Sequence, residues 1–193
     1  MDLTQGTYEE KSRRAKKMML WFGIVSLIMS FAGWTSAYIV SRSREDWLSN
    51  LDLPNAFFIS VFVIIVSSIT IILAKRAIKN DKMRQGMFFL LLTLILGIIF
   101  IINQFYGFNQ IVGEGYHFTG PTSNPKSSFI FLIAFVHILH VVAGLISLLV
   151  VIYNHFKQQY RPEKMLGVEL AATFWHFVDI LWLYLFLFLY FVR

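Results

Sequence analysis

The residues best able to do chemistry lie in two short stretches. One is FVHILH, which places His137 and His140 three positions apart; the other is ELAATFWHFVD, which holds Glu169, His176 and Asp179. Both sit inside otherwise apolar runs, where a carboxylate is expensive. At the centre of a membrane helix an Asp costs about 2.5–3.5 kcal/mol, whereas each Leu, Ile, Phe or Val gains about 0.3–0.6. Three chemistries suit such a set. Two histidines on different helices, His137 or His140 opposite His176, could clamp a haem. His137 and His140 with a nearby carboxylate could chelate a metal. A carboxylate and an imidazole three residues apart on one helix face can also form a hydrogen-bonded network that fixes helix register or serves a proton path.

The neighbours of His176 are Phe174, Trp175 and Phe177, too bulky to leave an obvious space for a porphyrin, and no HExxH motif accompanies the histidines. The residues therefore favour an intramembrane polar network of His137, His140, Glu169, His176 and Asp179, with a haem anchor and a metal site as the alternatives. A rise of about 1.5 Å per residue puts Asp179 about 15 Å beyond Glu169, near mid-membrane. Trp175 and Trp182 flank the set as packing, lipid or subunit contacts. His155 and Glu163 are candidates for proton collection, because His titrates near neutral pH; a solvated loop edge is the plainer reading.

Stepping along the chain, 57% of its 193 residues are hydrophobic and only 15% charged, against about a quarter charged in a soluble domain. Four long stretches carry no charge, and a fifth, Leu170–Val192, is interrupted only by Asp179. Each supplies the roughly 20 apolar residues that cross a hydrocarbon core as a helix, the conformation that satisfies its own backbone in lipid. The expected fold is an all-α membrane bundle of five transmembrane helices at about 18–40, 54–75, 86–106, 128–154 and 169–191. Residues 1–17 form a basic cytoplasmic segment ahead of a single domain, 18–193. The N-terminus lacks the short apolar core and small-residue cleavage site of a secretory signal.

Thirteen of the seventeen Lys and Arg residues fall in the N-terminal segment and the second and fourth loops, which share one side of the membrane. The positive-inside rule makes the N-terminus cytoplasmic and the C-terminus external. The net charge of +6 is thus a topology signal with some attraction to anionic lipid, and nucleic acid is not an expected partner. There is no Cys, which removes disulfides and thiolate metal sites. The outer loop Gly107–Lys126 is rich in Gly and Pro and is expected to be irregular.

Small and polar residues mark the faces expected to pack inside the bundle. They are Ser26, Ser30, Gly33 and Ala37 in the first helix, and Ala56, Ser60, Ser67 and Ala74 in the second. The third offers Thr93, Gly97 and Gln104, and the fourth His137, His140, Gly144 and Ser147.

The run from Glu169 to Phe186, with WHFVD at its centre, resembles the last helix of subunit III of haem–copper terminal oxidases. FVHILHVVAG (Phe135–Gly144) is similar to that family's HxxHV…G helix. Weaker likenesses follow in collinear order: SLIMSFAGW at Ser26–Trp34, the LPNAFF and SSIT segments, and Thr93, Gly97, Phe100 and Gln104. The resemblance covers nearly the whole chain from about Met18. Larger members have seven helices; this chain lacks the first two, as the short five-helix bacterial forms do. Leu27 stands where the family has a carboxylate, and Gln104 is followed by Phe105 and Tyr106 with no acid, so roles resting on those acids are not carried over.

The resemblance implies a non-catalytic subunit of a bacterial oxygen reductase, a cytochrome c oxidase, in the plasma (inner) membrane. It implies packing on subunit I, association with subunit II, bound phospholipid, and support of proton uptake and stability during oxygen reduction. Haem and copper belong to the partner subunits, with no catalytic, cofactor or metal residue in this chain. A quinol oxidase or a relative serving nitric oxide reductase is the alternative inside the family, and a haem b membrane anchor the alternative outside it.

Overall fold

A computed structural model describes residues 7–47, 53–120, 123–160 and 165–192. Helix α1 (Tyr8–Ser41) starts well before its apolar run because Thr7 caps it. The Thr7 hydroxyl accepts from the Glu10 backbone N–H at 3.4 Å, and the Glu10 carboxylate accepts from the Thr7 N–H at 3.0 Å. This reciprocal capping box satisfies two of the donors that a helix start leaves open, and Glu9 and Glu10 oppose the positive end of its dipole. The basic N-terminal segment is therefore helical from Tyr8. At 34 residues, about 51 Å, α1 outruns a hydrocarbon core of about 30 Å and carries its charges beyond it.

Helices α2 (Asn55–Lys79) and α3 (Met83–Gly113) form a tight antiparallel hairpin. Asp81 takes a left-handed conformation (φ 58°), while the Asp81 and Lys82 N–H groups return to the Ile78 and Ala77 carbonyls at 3.1 and 2.9 Å. That is a Schellman ending, which lets the chain reverse with few unpaired carbonyls. Helix α3 runs to Gly113, seven residues past the expected 106, so the first part of the loop expected to be irregular is helical. Gly107 survives inside it because α2 packs against it; a Cβ there would stand 2.6 Å from the Phe57 ring. The turn comes at Gly115 (φ 87°) instead.

Helix α4 (Pro125–Phe156) opens with Asn124 as cap and Pro125 in its first turn, a position that needs no N–H. The Asn124 side chain also donates to the Asp46 carbonyl, tying the start of α4 to the end of α1. Helix α5 (Leu166–Phe191) completes the set. All five are long and apolar enough to cross a membrane. Outside them, regular structure among the described residues amounts to one isolated bridge, His117–Ser123.

Helix α5 lies at the centre and touches α1, α2 and α4, and α3 packs between α2 and α4. The stripes on α2 and α3 are buried as expected. On α1 the expectation fails: Ser26, Ser30, Gly33 and Ala37 face outward, and a Cβ on Gly33 would meet nothing within 4 Å. The helix turns Ile24, Phe31, Thr35 and Tyr38 inward instead. Small residues serve backbones that pack closely, whereas α1 stands off and spans the distance with large rings. Phe31 meets the edges of His137 and His140, and Tyr38 sits among Trp47, Phe129 and Phe188. The outward Ser30 hydroxyl is satisfied by its own helix, donating to the Ser26 carbonyl at 3.0 Å.

Trp175 and Trp182, expected at a packing, lipid or subunit contact, lie inside the bundle at 3% and 0% exposure. The Trp175 indole is gripped between Gly97 of α3 and Gly144 of α4. An added Cβ on Gly97 would stand 2.7 Å from the Trp175 ring and 2.8 Å from Leu145. Gly97→Ala therefore overpacks the bundle and is expected to cost about 1–3 kcal/mol, read as a lower thermal midpoint in detergent. Gly113→Ala, where an added Cβ meets nothing within 4 Å, is the control and should leave the midpoint unchanged or raise it.

Candidate functional site

Two helices build the polar interior. Helix α5 presents ring N–H groups and a carboxyl, and α2 answers them with hydroxyls. Trp182 Nε1 donates to Ser60 Oγ at 3.1 Å, and Trp175 Nε1 donates to Ser67 Oγ at 3.0 Å. Both pairs recur after seven residues on each helix, so antiparallel neighbours meet twice in one register. One residue on, Ser68 Oγ lies 2.6 Å from His176 Nδ1. The carboxyl of Asp179 lies near the same hydroxyl, and its Oδ2 has no hydrogen-bond partner among the described residues. Ser68 thus stands between the imidazole and the acid, able to accept from one and donate to the other.

The five residues expected as one network fall at separate places. His176 and Asp179 meet at Ser68. His137 lies deeper, 0% exposed, stacked on the Trp182 ring at 5.0 Å with the edges of Phe31 and Phe100 around it. Neither of its nitrogens has a hydrogen-bond partner among the described residues. His140 turns to its own helix, where Nδ1 lies 2.7 Å from the Val136 carbonyl. A carbonyl only accepts, so this nitrogen carries the proton. Glu169 lies in the first turn of α5 and holds the first helix in place: Lys17 Nζ is 2.8 Å away and Arg13 Nη2 3.6 Å.

His155 is buried, 4% exposed, with Nε2 donating to the Met83 carbonyl at 3.0 Å and tying the end of α4 to the start of α3. Glu163 lies outside the described residues.

A cavity of about 10 Å³, lined in part by Gly97, Trp175, Val178 and Asp179, sits beside the carboxyl. It holds about one water and has no room for a porphyrin. Among the described residues, no three His, Cys, Asp or Glu side chains converge as a metal site. The arrangement is one of helix-to-helix ties in a low-dielectric interior, where an unpaired polar group is costly. Ser67 and Ser68 were not singled out as partners of Trp175, His176 or Asp179 by residue type. The signal that finds them is the seven-residue spacing of Ser60 and Ser67 set against that of Trp182 and Trp175.

Comparison with known proteins places this geometry. The family model described as cytochrome c oxidase subunit III matches residues 47–193, which include α2 to α5. The chain is similar to cytochrome c oxidase subunit 3 of Corynebacterium diphtheriae, 30% identical over 173 residues that cover 86% of this chain and 82% of the relative. It is similar to cytochrome bo(3) ubiquinol oxidase subunit 3 of Buchnera aphidicola subsp. Acyrthosiphon pisum, 26% identical over 193 residues, 98% of this chain and 93% of the relative. Cytochrome c oxidase subunit 3 of Spodoptera frugiperda is 34% identical over 135 residues, 68% of this chain and 86% of the relative.

The Ser68 hydroxyl yields a direct test. Ser68→Ala strips His176 of that partner beside Asp179 and is expected to destabilise the bundle by about 1–3 kcal/mol, measured as a lower thermal midpoint in detergent. Ser68→Thr keeps the hydroxyl and should retain most of the stability. An unchanged midpoint in Ser68→Ala would show that the bond carries no weight.

Proposed function

The chain belongs to the cytochrome c oxidase subunit III family, and we propose that it serves a bacterial haem–copper oxygen reductase as its non-catalytic third subunit. In this reading it packs on subunit I, associates with subunit II, binds phospholipid, and supports proton uptake and the stability of the complex during oxygen reduction. The match of the family model across α2 to α5 carries the proposal. The interior supports it: His176, His155 and Glu169 each tie one helix to another. The protein is a multi-pass membrane protein, and its basic loops fit a plasma-membrane setting with the N-terminus cytoplasmic.

A second reading, subunit III of a quinol oxidase, is favoured by the ubiquinol oxidase relative, whose likeness extends over 98% of the chain. In both readings the electron donor is met by a partner subunit, and the two differ there.

Purification of the tagged chain in mild detergent separates them. A many-helix haem-bearing subunit I and a subunit II are expected to co-purify and to be identified by mass spectrometry. A copper-binding cupredoxin domain in subunit II indicates cytochrome c as donor; its absence indicates quinol. Recovery of the chain alone, or with a dehydrogenase, would contradict the assignment.

A further inference from the structure

Helix α1 approaches α4 and α5, but among the described residues no Cα of α1 comes within 8 Å of α2 or α3. It runs parallel to α5: Lys17 meets Glu169 near one end, and Tyr38 meets Phe188 near the other. The two ends are held by different forces. From Tyr8 to Gly23 no residue of α1 is buried, and the ion pairs of Arg13 and Lys17 with Glu169 tie this half to α5. The Arg13 and Lys17 side chains are 51% and 43% exposed, and exposed ion pairs are weak and screened by salt. At the far end Tyr38 is 0% exposed among the rings of Trp47, Phe129 and Phe188, and Asn124 donates to the Asp46 carbonyl. Ring contacts of this kind carry no net charge for salt to screen.

The surroundings do not press the first half inward. Lipid is as apolar as Leu20 or Ile24, so packing and polar ties must hold the helix against the bundle. The ladder that sets the register of α2 on α5 uses no residue of α1, so α1 can move without disturbing it. A cleft of about 350 Å³ lies where the two helices would part. Lys17, Leu20 and Trp21 of α1 form one wall, and Glu169, Leu170 and Thr173 of α5 the other.

We propose that α1 is a hinged strap: its Tyr38 end is the pivot, Glu169 is the latch for its N-terminal half, and release of the ion pairs swings that half outward and widens the cleft. Glu169 is a positioning residue in this device. One carboxylate serves two cations, so a single substitution removes both pairs. The device goes beyond the third-subunit reading and does not rest on it.

The test uses the protein as it purifies in mild detergent, with the chains that accompany it, and reads distances between pairs of spin labels. The chain has no Cys, so labels in it sit only at introduced positions. The unsubstituted preparation, labelled alike, is the blank. Ala15→Cys with Lys79→Cys spans the latch end of α1 and the end of α2, and Ile39→Cys with Phe191→Cys spans the pivot end of α1 and the end of α5. Raising the ionic strength from about 0.01 M to about 1 M shortens the Debye length from about 30 Å to about 3 Å. The population at a longer Ala15–Lys79 distance is expected to rise about two- to fivefold, the range an exposed ion pair spans. Glu169→Gln should show that population already at low salt and respond little to more. The Ile39–Phe191 distance should stay fixed throughout.

A latch-end distribution that salt leaves unchanged overturns the proposal, whether or not Glu169→Gln assembles. A salt response that Glu169→Gln retains in full would place the latch at other residues. Equal lengthening of both pairs would mean that the whole helix departs without a pivot. Each of these results overturns the strap.

Discussion

Everything in this bundle depends on how α2 meets α5. Lipid is as apolar as the side chains it touches, so burial alone does not drive two membrane helices together; packing and interhelical hydrogen bonds must. Here the rings of Trp175, Trp182 and His176 on α5 find Ser67, Ser60 and Ser68 on α2. A one-residue slip would separate all three pairs and leave indole N–H groups unpaired in a medium with no water. Gly97 and Gly144 add the steric half of the same constraint, holding the Trp175 ring from α3 and α4.

With that register set, α5 becomes the element to which the others are referred. On one side it is locked to α2; on another it faces His137 of α4 through the Trp182 ring. Helix α1 is held differently, by Phe31 and Tyr38 reaching inward and by Lys17 and Arg13 at Glu169. The result is a four-helix body with a fifth helix standing off from it. The standing helix leaves large apolar side chains such as Trp21, Phe22 and Met29 exposed.

Much of this was legible in the chain itself. Cutting at the charges located all five spans, and the WHFVD helix pointed to the family. The helix ends were missed where caps lie outside the apolar runs: Thr7 with Glu10 lengthens α1, and packing on Phe57 carries α3 through Gly107. The inner face of α1 was misread because a small-residue stripe implies close packing, and this helix is spaced by aromatic rings. The partner of His176 was hidden for another reason. A serine on α2 is chosen by the register of two helices more than a hundred residues apart in sequence, and one helix's pattern does not state that register.

The ladder between α2 and α5 is most directly tested by a double-mutant cycle at Ser67 and Trp175 in the detergent-solubilised protein. Ser67→Ala, Trp175→Phe and the double variant would be unfolded by denaturant, and the coupling taken from the difference. A tie that sets the register predicts a favourable coupling of about 0.5–2 kcal/mol, with the double variant losing less than the two single losses added together. Additive losses would contradict it, leaving the helices held by packing around Gly97 and Gly144 alone.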